Sequence, residues 1–362
     1  MDLENIKSKA ISVDLKVTDY CDYGCNFCYQ NSKITGKHAD LDYVKRILDF
    51  LNENDVLEIV VGGGEPTKYP YIFDVFLETV KRRLFFSLTT KNLNFAQDIF
   101  TYGNLYRLFE EVKRNRKNYL QYYVNSDGAD FSFSIGVGFS PTPGKEYIEV
   151  KNLLDNVENF YSFRLYPFTS KIERIIRKER YKAENYSLWE KYSLWDLLDL
   201  DSPIFDIKFK IKIHLIEGIH FKSEKDLTRI LRKIHKAMYN NSIFEEKEFS
   251  VVNLGVLLLG YKRVGRGKYV VAESDIASIA KYLNRIKFLY LPKRIHLYKI
   301  IPLPISVDSV LVEKLKKHID IYEESIVQDG FRTFYIDAVN KKFAQNSFTD
   351  ELFDLKIWIL QS

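Results

Sequence analysis

Apolar and polar residues recur with two different periods along the first 267 residues, and the switching between them predicts a parallel α/β architecture. Ile11-Ser12-Val13-Asp14-Leu15-Lys16-Val17 alternates residue by residue, as a strand with two unlike faces does. Asp40 is placed to cap a helix in which Leu41, Val44, Ile47, Leu48 and Leu51 fall at helical spacing. Residues 56–61 are almost wholly apolar, the kind of strand a parallel sheet buries, and they run into Gly62-Gly63-Gly64-Glu65-Pro66. Pro70 suits the first turn of a second helix carried by Ile72, Phe73, Phe76, Leu77 and Val80. A strand over 84–90, a helix through Leu105, Leu108, Phe109 and Val112, and a strand over 131–137 follow.

The stretch 140–205 breaks this rhythm, being too long and too aromatic for a connection, and is expected to be an insertion with helices of its own. Ile207, Phe209, Ile211, Ile213 and Leu215 then alternate with Lys208, Lys210, Lys212 and His214, so this strand is expected to have one wet face, at an edge or partly open position. Ser223 and Asp226 open a helix through Leu227, Ile230, Leu231 and Ile234, and a sixth strand covers 249–259. Six strand–helix units fall short of a closed eight-unit barrel. The expected fold is therefore α/β, an incomplete (β/α)6 TIM-type barrel over residues 10–267, with its site at the carboxyl ends of the strands. Beyond Gly267 the pattern changes to helices around 276–286 and 307–315 and a hairpin over 333–337 and 342–347, read as a separate small α+β appendage spanning 268–362.

Charge narrows the function little: 54 basic and 49 acidic side chains leave a net +5, which does not by itself call for nucleic acid. No apolar run reaches spanning length and the amino terminus lacks the layout of a signal peptide, so a cytoplasmic location without membrane attachment is expected. Cysteine usage is more telling. All three cysteines of the chain lie within residues 21–28, which leaves no partner for a disulfide framework and points to metal or redox chemistry.

Cys21-Asp22-Tyr23-Gly24-Cys25-Asn26-Phe27-Cys28 follows the first strand directly, on a loop that Gly24 lets bend tightly. A 4Fe-4S cube takes thiolates at four corners, so three cysteines leave one iron open to a ligand that is not protein. The C-x3-C-x2-C spacing after the first strand, with an aromatic residue before the last cysteine, resembles the signature of the radical S-adenosylmethionine (SAM) superfamily. Gly63-Gly64-Glu65-Pro66 stands where that superfamily carries the GGE-type loop for the methionine amino group of SAM.

The resemblance implies an oxygen-sensitive enzyme with one 4Fe-4S cluster on Cys21, Cys25 and Cys28 and SAM on the open iron. It also implies an external electron donor such as flavodoxin or ferredoxin. Reductive cleavage of SAM then gives a 5′-deoxyadenosyl radical that takes hydrogen from a substrate. By the same resemblance Gly63, Gly64 and Glu65 hold the ammonium group and Phe27 lies against adenine. Thr89, Thr90, Ser132 and Ser134 contact the methionine or ribose parts, and Gly260, between Leu259 and Tyr261, offers main-chain contacts to adenine. The substrate is expected to be a peptide or protein, as for relatives with C-terminal extensions; a nucleotide or nucleic acid is the alternative. In many relatives such an extension carries further clusters, with cysteine expected near the equivalents of Gln328 and Asn346. This chain has none there, so a cluster-free, degenerate auxiliary domain is expected.

A reading of another class is a non-catalytic iron–sulfur or zinc-binding protein, with His38 as the fourth ligand of a zinc knot. Residues 171–182 hold six cations, read as a solvated helix face before a grip on RNA, DNA or an acidic peptide. Lys262-Arg263-Val264-Gly265-Arg266-Gly267 is either a solvated basic turn or a set of cations near an anionic substrate. The repeated Tyr-Ser-Leu-Trp at 186–189 and 192–195 is read as packing of the insertion. No histidine is assigned a catalytic role.

Overall fold

A computed structural model describes residues 11–123, 131–172, 174, 205–241, 252–289, 303–318, 333–349 and 352–355. Its strands are β1 (Ser12–Thr18), β2 (Glu58–Gly63), β3 (Phe85–Thr90), β4 (Phe131–Phe139), β5 (Phe205–Ile216), β6 (Val252–Leu259), β7 (Ile305–Val307), β8 (Thr333–Asp337), β9 (Lys342–Ala344) and β10 (Phe353–Asp354). The helices between them are α1 (Leu41–Glu53), α2 (Ile72–Lys81), α3 (Phe95–Ile99), α4 (Tyr102–Tyr123), α5 (Glu146–Phe160), α6 (Glu224–Tyr239), α7 (Ile276–Leu289) and α8 (Ser309–Leu315). The caps read from the sequence are in place: Asp40 Oδ1 accepts from Tyr43 N at 2.8 Å, and Ser223 Oγ accepts from Asp226 N at 3.4 Å. No helix among the described residues is long and apolar enough to cross a membrane.

All strands join one sheet in the order β10-β9-β8-β1-β2-β3-β4-β5-β6-β7, parallel from β8 to β7, with β9 and β10 added antiparallel. Among the described residues β7 and β8 do not pair, so the sheet is an open arc, a partial TIM-type barrel. Two expectations change. The parallel run is longer than six strands, because the region after 267 supplies β7 beside β6 and β8 beside β1 and, among the described residues, makes no sheet of its own. And β5, expected at an edge or partly open position, is not at an edge but central, paired with β4 and β6 along its length. Its wet face is the concave face of the arc, not an outer rim.

Alternation divides each strand between those two sides. Val13, Leu15, Val17, Ile59, Val61, Phe86, Leu88, Phe133, Ile135, Phe209 and Ile211 are buried in the same core as the apolar stripes of α1, α2 and α5. Phe76 and Phe100 meet edge to face at 5.2 Å in this layer, and Phe95 meets Phe209 at 5.1 Å. Most of the opposite positions are polar or small; Val60 and Phe85 are not. Residues 146–172, expected within an insertion, instead form the crossover helix from β4 to β5, continued through one π turn at Tyr161–Leu165. Arg177, Arg180 and both Tyr-Ser-Leu-Trp segments lie outside the described residues.

Candidate functional site

β1 ends at Thr18 beside Gly63 of β2, and the chain then enters the cysteine loop. Main-chain bonds fold that loop on itself: Cys21 N donates to Lys33 O at 3.1 Å, Lys33 N to Asp19 O at 3.1 Å and Cys28 N to Cys25 O at 3.3 Å. Gly24 takes φ +63°, where a side chain is strained. All three cysteines are free and half-buried. Burial pushes the Cys21 thiol up, with Glu65 and the other two thiols adding to the rise. Burial also raises Cys25, while Lys91 and Arg266 pull it back.

The glycine loop is locked against the start of this segment. A Cβ on Gly63 would strike Thr18 O and Lys16 Cγ, and one on Gly64 would strike the main chain of Asp19 and Tyr20. Gly64 N donates to Thr18 O at 2.7 Å and Glu65 N to Tyr20 O at 2.8 Å. Gly62 differs, since nothing lies within 4 Å of its Cβ position. Paired with Lys16, it leaves open space on the concave face beside the cysteine loop.

Glu65 was expected to accept from an ammonium group, yet its carboxylate faces inward and is only 2% exposed. Oε1 accepts from Thr90 Oγ1 (2.5 Å), Thr67 Oγ1 (2.7 Å) and Thr67 N (3.1 Å), and Oε2 from Lys91 N (2.9 Å). Burial still pushes its carboxyl above the ordinary range, against the pull of those four donors. Here Glu65 is a tether between the glycine loop and the end of β3, and Thr90 is its partner, turned away from the concave face.

Thr89 and Ser134 do lie on the concave face, and the pairing register brings Thr89 beside Gly138 and Ser132 beside Asp206. Phe27 meets the His220 ring edge-on at 6.3 Å. His220 itself is structural: Nδ1 accepts from Ile216 N at 2.9 Å and Nε2 donates to Pro141 O at 3.0 Å. Gly260 is drawn away from the concave side; its N–H donates to Asp308 Oδ1 at 2.8 Å, and a Cβ would strike the start of α8. His214 lies over Gly138, where any Cβ would collide with its ring. Burial, then Lys212, Lys262 and His220, hold its pKa down to about 4, so it is a neutral imidazole.

Arg266 is the residue that reading the sequence missed. It is not a solvated member of a basic turn: Nε donates to Cys25 O at 3.0 Å, Nη1 to Ser32 O at 2.6 Å, and its main-chain N to Cys28 O at 3.0 Å. Gly265, at φ +56°, lets this turn press on the main chain of Cys28 and Tyr29. Nothing near Arg266 in the sequence separates it from exposed Arg263. The C-terminal strands also reach the site, with Tyr335 Oη 3.3 Å from Gln30 Oε1 and Lys262 Nζ 4.3 Å from the centre of the Phe348 ring.

The donors fit an anionic cluster. Arg266 Nη2 and Ser32 Oγ are buried at the cysteine loop with no hydrogen-bond partner among the described residues, and an orphaned cationic donor beside three thiols suits sulfur ligands carrying negative charge. Among the described residues no three His, Cys, Asp or Glu are gathered for a single ion. His38, the candidate zinc ligand, has Nδ1 2.8 Å from Thr18 Oγ1.

Residues 15–136, from β1 into β4, match the family model of the Radical SAM superfamily. Over this third of the chain the protein is similar to that superfamily's domain. No curated protein matches the chain. Among solved structures it is similar to Streptococcus suis SuiB bound to S-adenosylmethionine, at 13% identity and TM-score 0.49, over 96% of this chain and 64% of that one. SuiB bound to the precursor peptide SuiA gives 15% identity and TM-score 0.47, over 94% and 60%. The anSMEcpe structure with bound AdoMet gives 12% identity and TM-score 0.44, over 94% and 76%. The chain thus spans less than two thirds of the SuiB chains it matches.

Proposed function

We propose that this protein cleaves SAM reductively at one 4Fe-4S cluster held by Cys21, Cys25 and Cys28 and uses the product to take a hydrogen atom from a peptide or protein. When bound and reduced, the cluster supplies the electron that splits SAM into methionine and a 5′-deoxyadenosyl radical. The chain's own work is to hold and exclude. Arg266 fixes the carbonyls of Cys25 and Ser32, so the loop carrying the thiols is set from outside itself. Gly63 and Gly64 lock the glycine loop to Thr18–Tyr20, and Glu65 ties it to β3. Main-chain groups of the loop, rather than the Glu65 carboxylate, are then left to meet the methionine end of SAM.

The observation that carries this reading is the empty side of Gly62, open space on the concave face one residue before Gly63, which pairs with Thr18 where the chain leaves β1 for the cysteine loop. The open arc of the sheet supports a chain-like substrate, because a segment can enter between its ends. The C-terminal region, with Tyr335 on β8 and Phe348 after β9, covers one side of the mouth.

Anaerobically reconstituted protein reduced with dithionite should convert SAM to 5′-deoxyadenosine and methionine, slowly even without substrate. Cys25→Ala should abolish this and His38→Ala leave it nearly unchanged. Loss of metal from the His38 variant, with no 5′-deoxyadenosine from the parent protein, would replace this reading by the zinc one.

A further inference from the structure

The concave positions of β5 are Lys208, Lys210, Lys212 and His214, alternating with Ile207, Phe209, Ile211 and Ile213, which are buried against the helices. The register sets Ser134, Gly136 and Gly138 of β4 beside the three lysines, and Asn253 and Gly255 of β6 beside Lys210 and Lys212. Such small neighbours leave the ammonium groups uncovered. Lys208 has a carboxylate, Asp206, at 3.9 Å; Lys210 and Lys212 are exposed and have no ion-pair or hydrogen-bond partner among the described residues.

Apart from Asp206 on β5 itself, the strand carboxylates of this face stand across the arc on β1, β2 and β8. Glu58 accepts from Ser87 Oγ at 2.5 Å, and Asp337 is 3.0 Å from Lys16 Nζ, with Asp14 beside them. The face is therefore divided by balance: three lysines against Asp206 along β5, and Asp14, Glu58 and Asp337 against Lys16 along β8-β1-β2. Because the sheet is parallel, the lysine row climbs towards the same carboxyl end from which the cysteine loop departs.

We infer that β5 binds an acidic peptide: an extended segment lying along the strand, with carboxylates at alternate positions on Lys210 and Lys212 and the reacting residue towards the cysteine loop. This rests on the proposed function, whose substrate it specifies. Same-side residues repeat every ~6.6–7 Å in any extended chain, so one row of side chains can meet the other without distortion. A nucleic acid suits the face less. Its phosphates would meet the Asp14 and Glu58 side, and the described concave positions of β4, β5 and β6, next to the lysines, offer no Phe, Tyr or Trp on which bases stack; Phe85 and Tyr335 of this face stand on β3 and β8.

The test is fluorescence anisotropy on the full chain with three probes: labelled peptides of alternating Glu and Thr or alternating Lys and Thr, and an RNA strand of similar length. The acidic peptide should bind tightest and weaken as salt rises. Lys210→Gln with Lys212→Gln should weaken it about tenfold, the product of two exposed ion pairs. Lys225→Gln with Lys233→Gln, on the exposed side of α6, should retain full affinity. Equal binding by the Lys210/Lys212 double variant, no preference for acid, or tighter RNA binding lost in that variant would overturn the inference. SAM cleavage, assayed on the same preparation, separates the two claims: acidic-peptide binding without cleavage defeats the enzyme reading alone, and cleavage without binding defeats this one alone.

Discussion

Arg266 joins residues 241 positions apart, and its chemistry predicts what its loss does. Charged hydrogen bonds to carbonyls contribute about 1.5–3 kcal/mol each, so Arg266→Gln should lower the melting temperature by a few degrees. It should also let iron leak on desalting after reconstitution, while Arg266→Lys keeps part of both. Unchanged iron retention in the Gln variant would remove Arg266 from the site. His214 gives a pH prediction. Its folded pKa of about 4 lies below the ordinary 6.5, so the native state binds fewer protons than the unfolded chain. Stability from this group is complete above about pH 6.5 and falls as pH drops towards 4, by roughly 1–3 kcal/mol. Urea midpoints at pH 7 and pH 5 should differ less in His214→Gln than in the parent protein. The cysteines and the glycine loop were legible from the sequence because each is a short local pattern. Arg266 was not, since a half-buried strut and a solvated cation look alike until the chain folds.

The glycine loop separates two uses of glycine that sequence treats as one. At Gly64 a Cβ meets the main chain of Asp19 and Tyr20, which cannot swing aside; at Gly62 it meets nothing. Gly64→Ala should therefore destabilise the protein, by about 1–3 kcal/mol as overpacking does, and disturb cluster loading. Gly62→Ala should melt at or above the parent temperature yet bind SAM more weakly by equilibrium dialysis. Equal SAM affinity in Gly62→Ala would show that the open side of Gly62 is not the cofactor's. Element boundaries followed from periodicity and caps, as at Asp40 and Ser223. The setting of β5 did not, because an alternating strand reads the same at an edge as in the middle of an arc whose inner face is wet. Likewise β8 was legible as half of a hairpin with β9, but its parallel pairing with β1 joins residues some 320 apart and leaves no local mark.

At the scale of the molecule, strands from the last third flank both ends of the parallel run, and Tyr335 and Phe348 bring that region to the cysteine loop and its basic turn. The chain has three cysteines in total, and one cluster with an open iron uses all of them. Asn346 is no substitute for a fourth or further ligand: its Oδ1 accepts from Phe348 N at 3.1 Å, and a neutral amide is a poor donor where soft anionic sulfur is wanted. Iron and acid-labile sulfide per chain after full anaerobic reconstitution are thus the most direct measurement. About four of each are expected, with the signal lost when Cys21, Cys25 and Cys28 are replaced together. About eight irons, a paramagnetic species surviving that triple replacement, or a single zinc in place of iron would contradict the proposed one-cluster radical SAM enzyme.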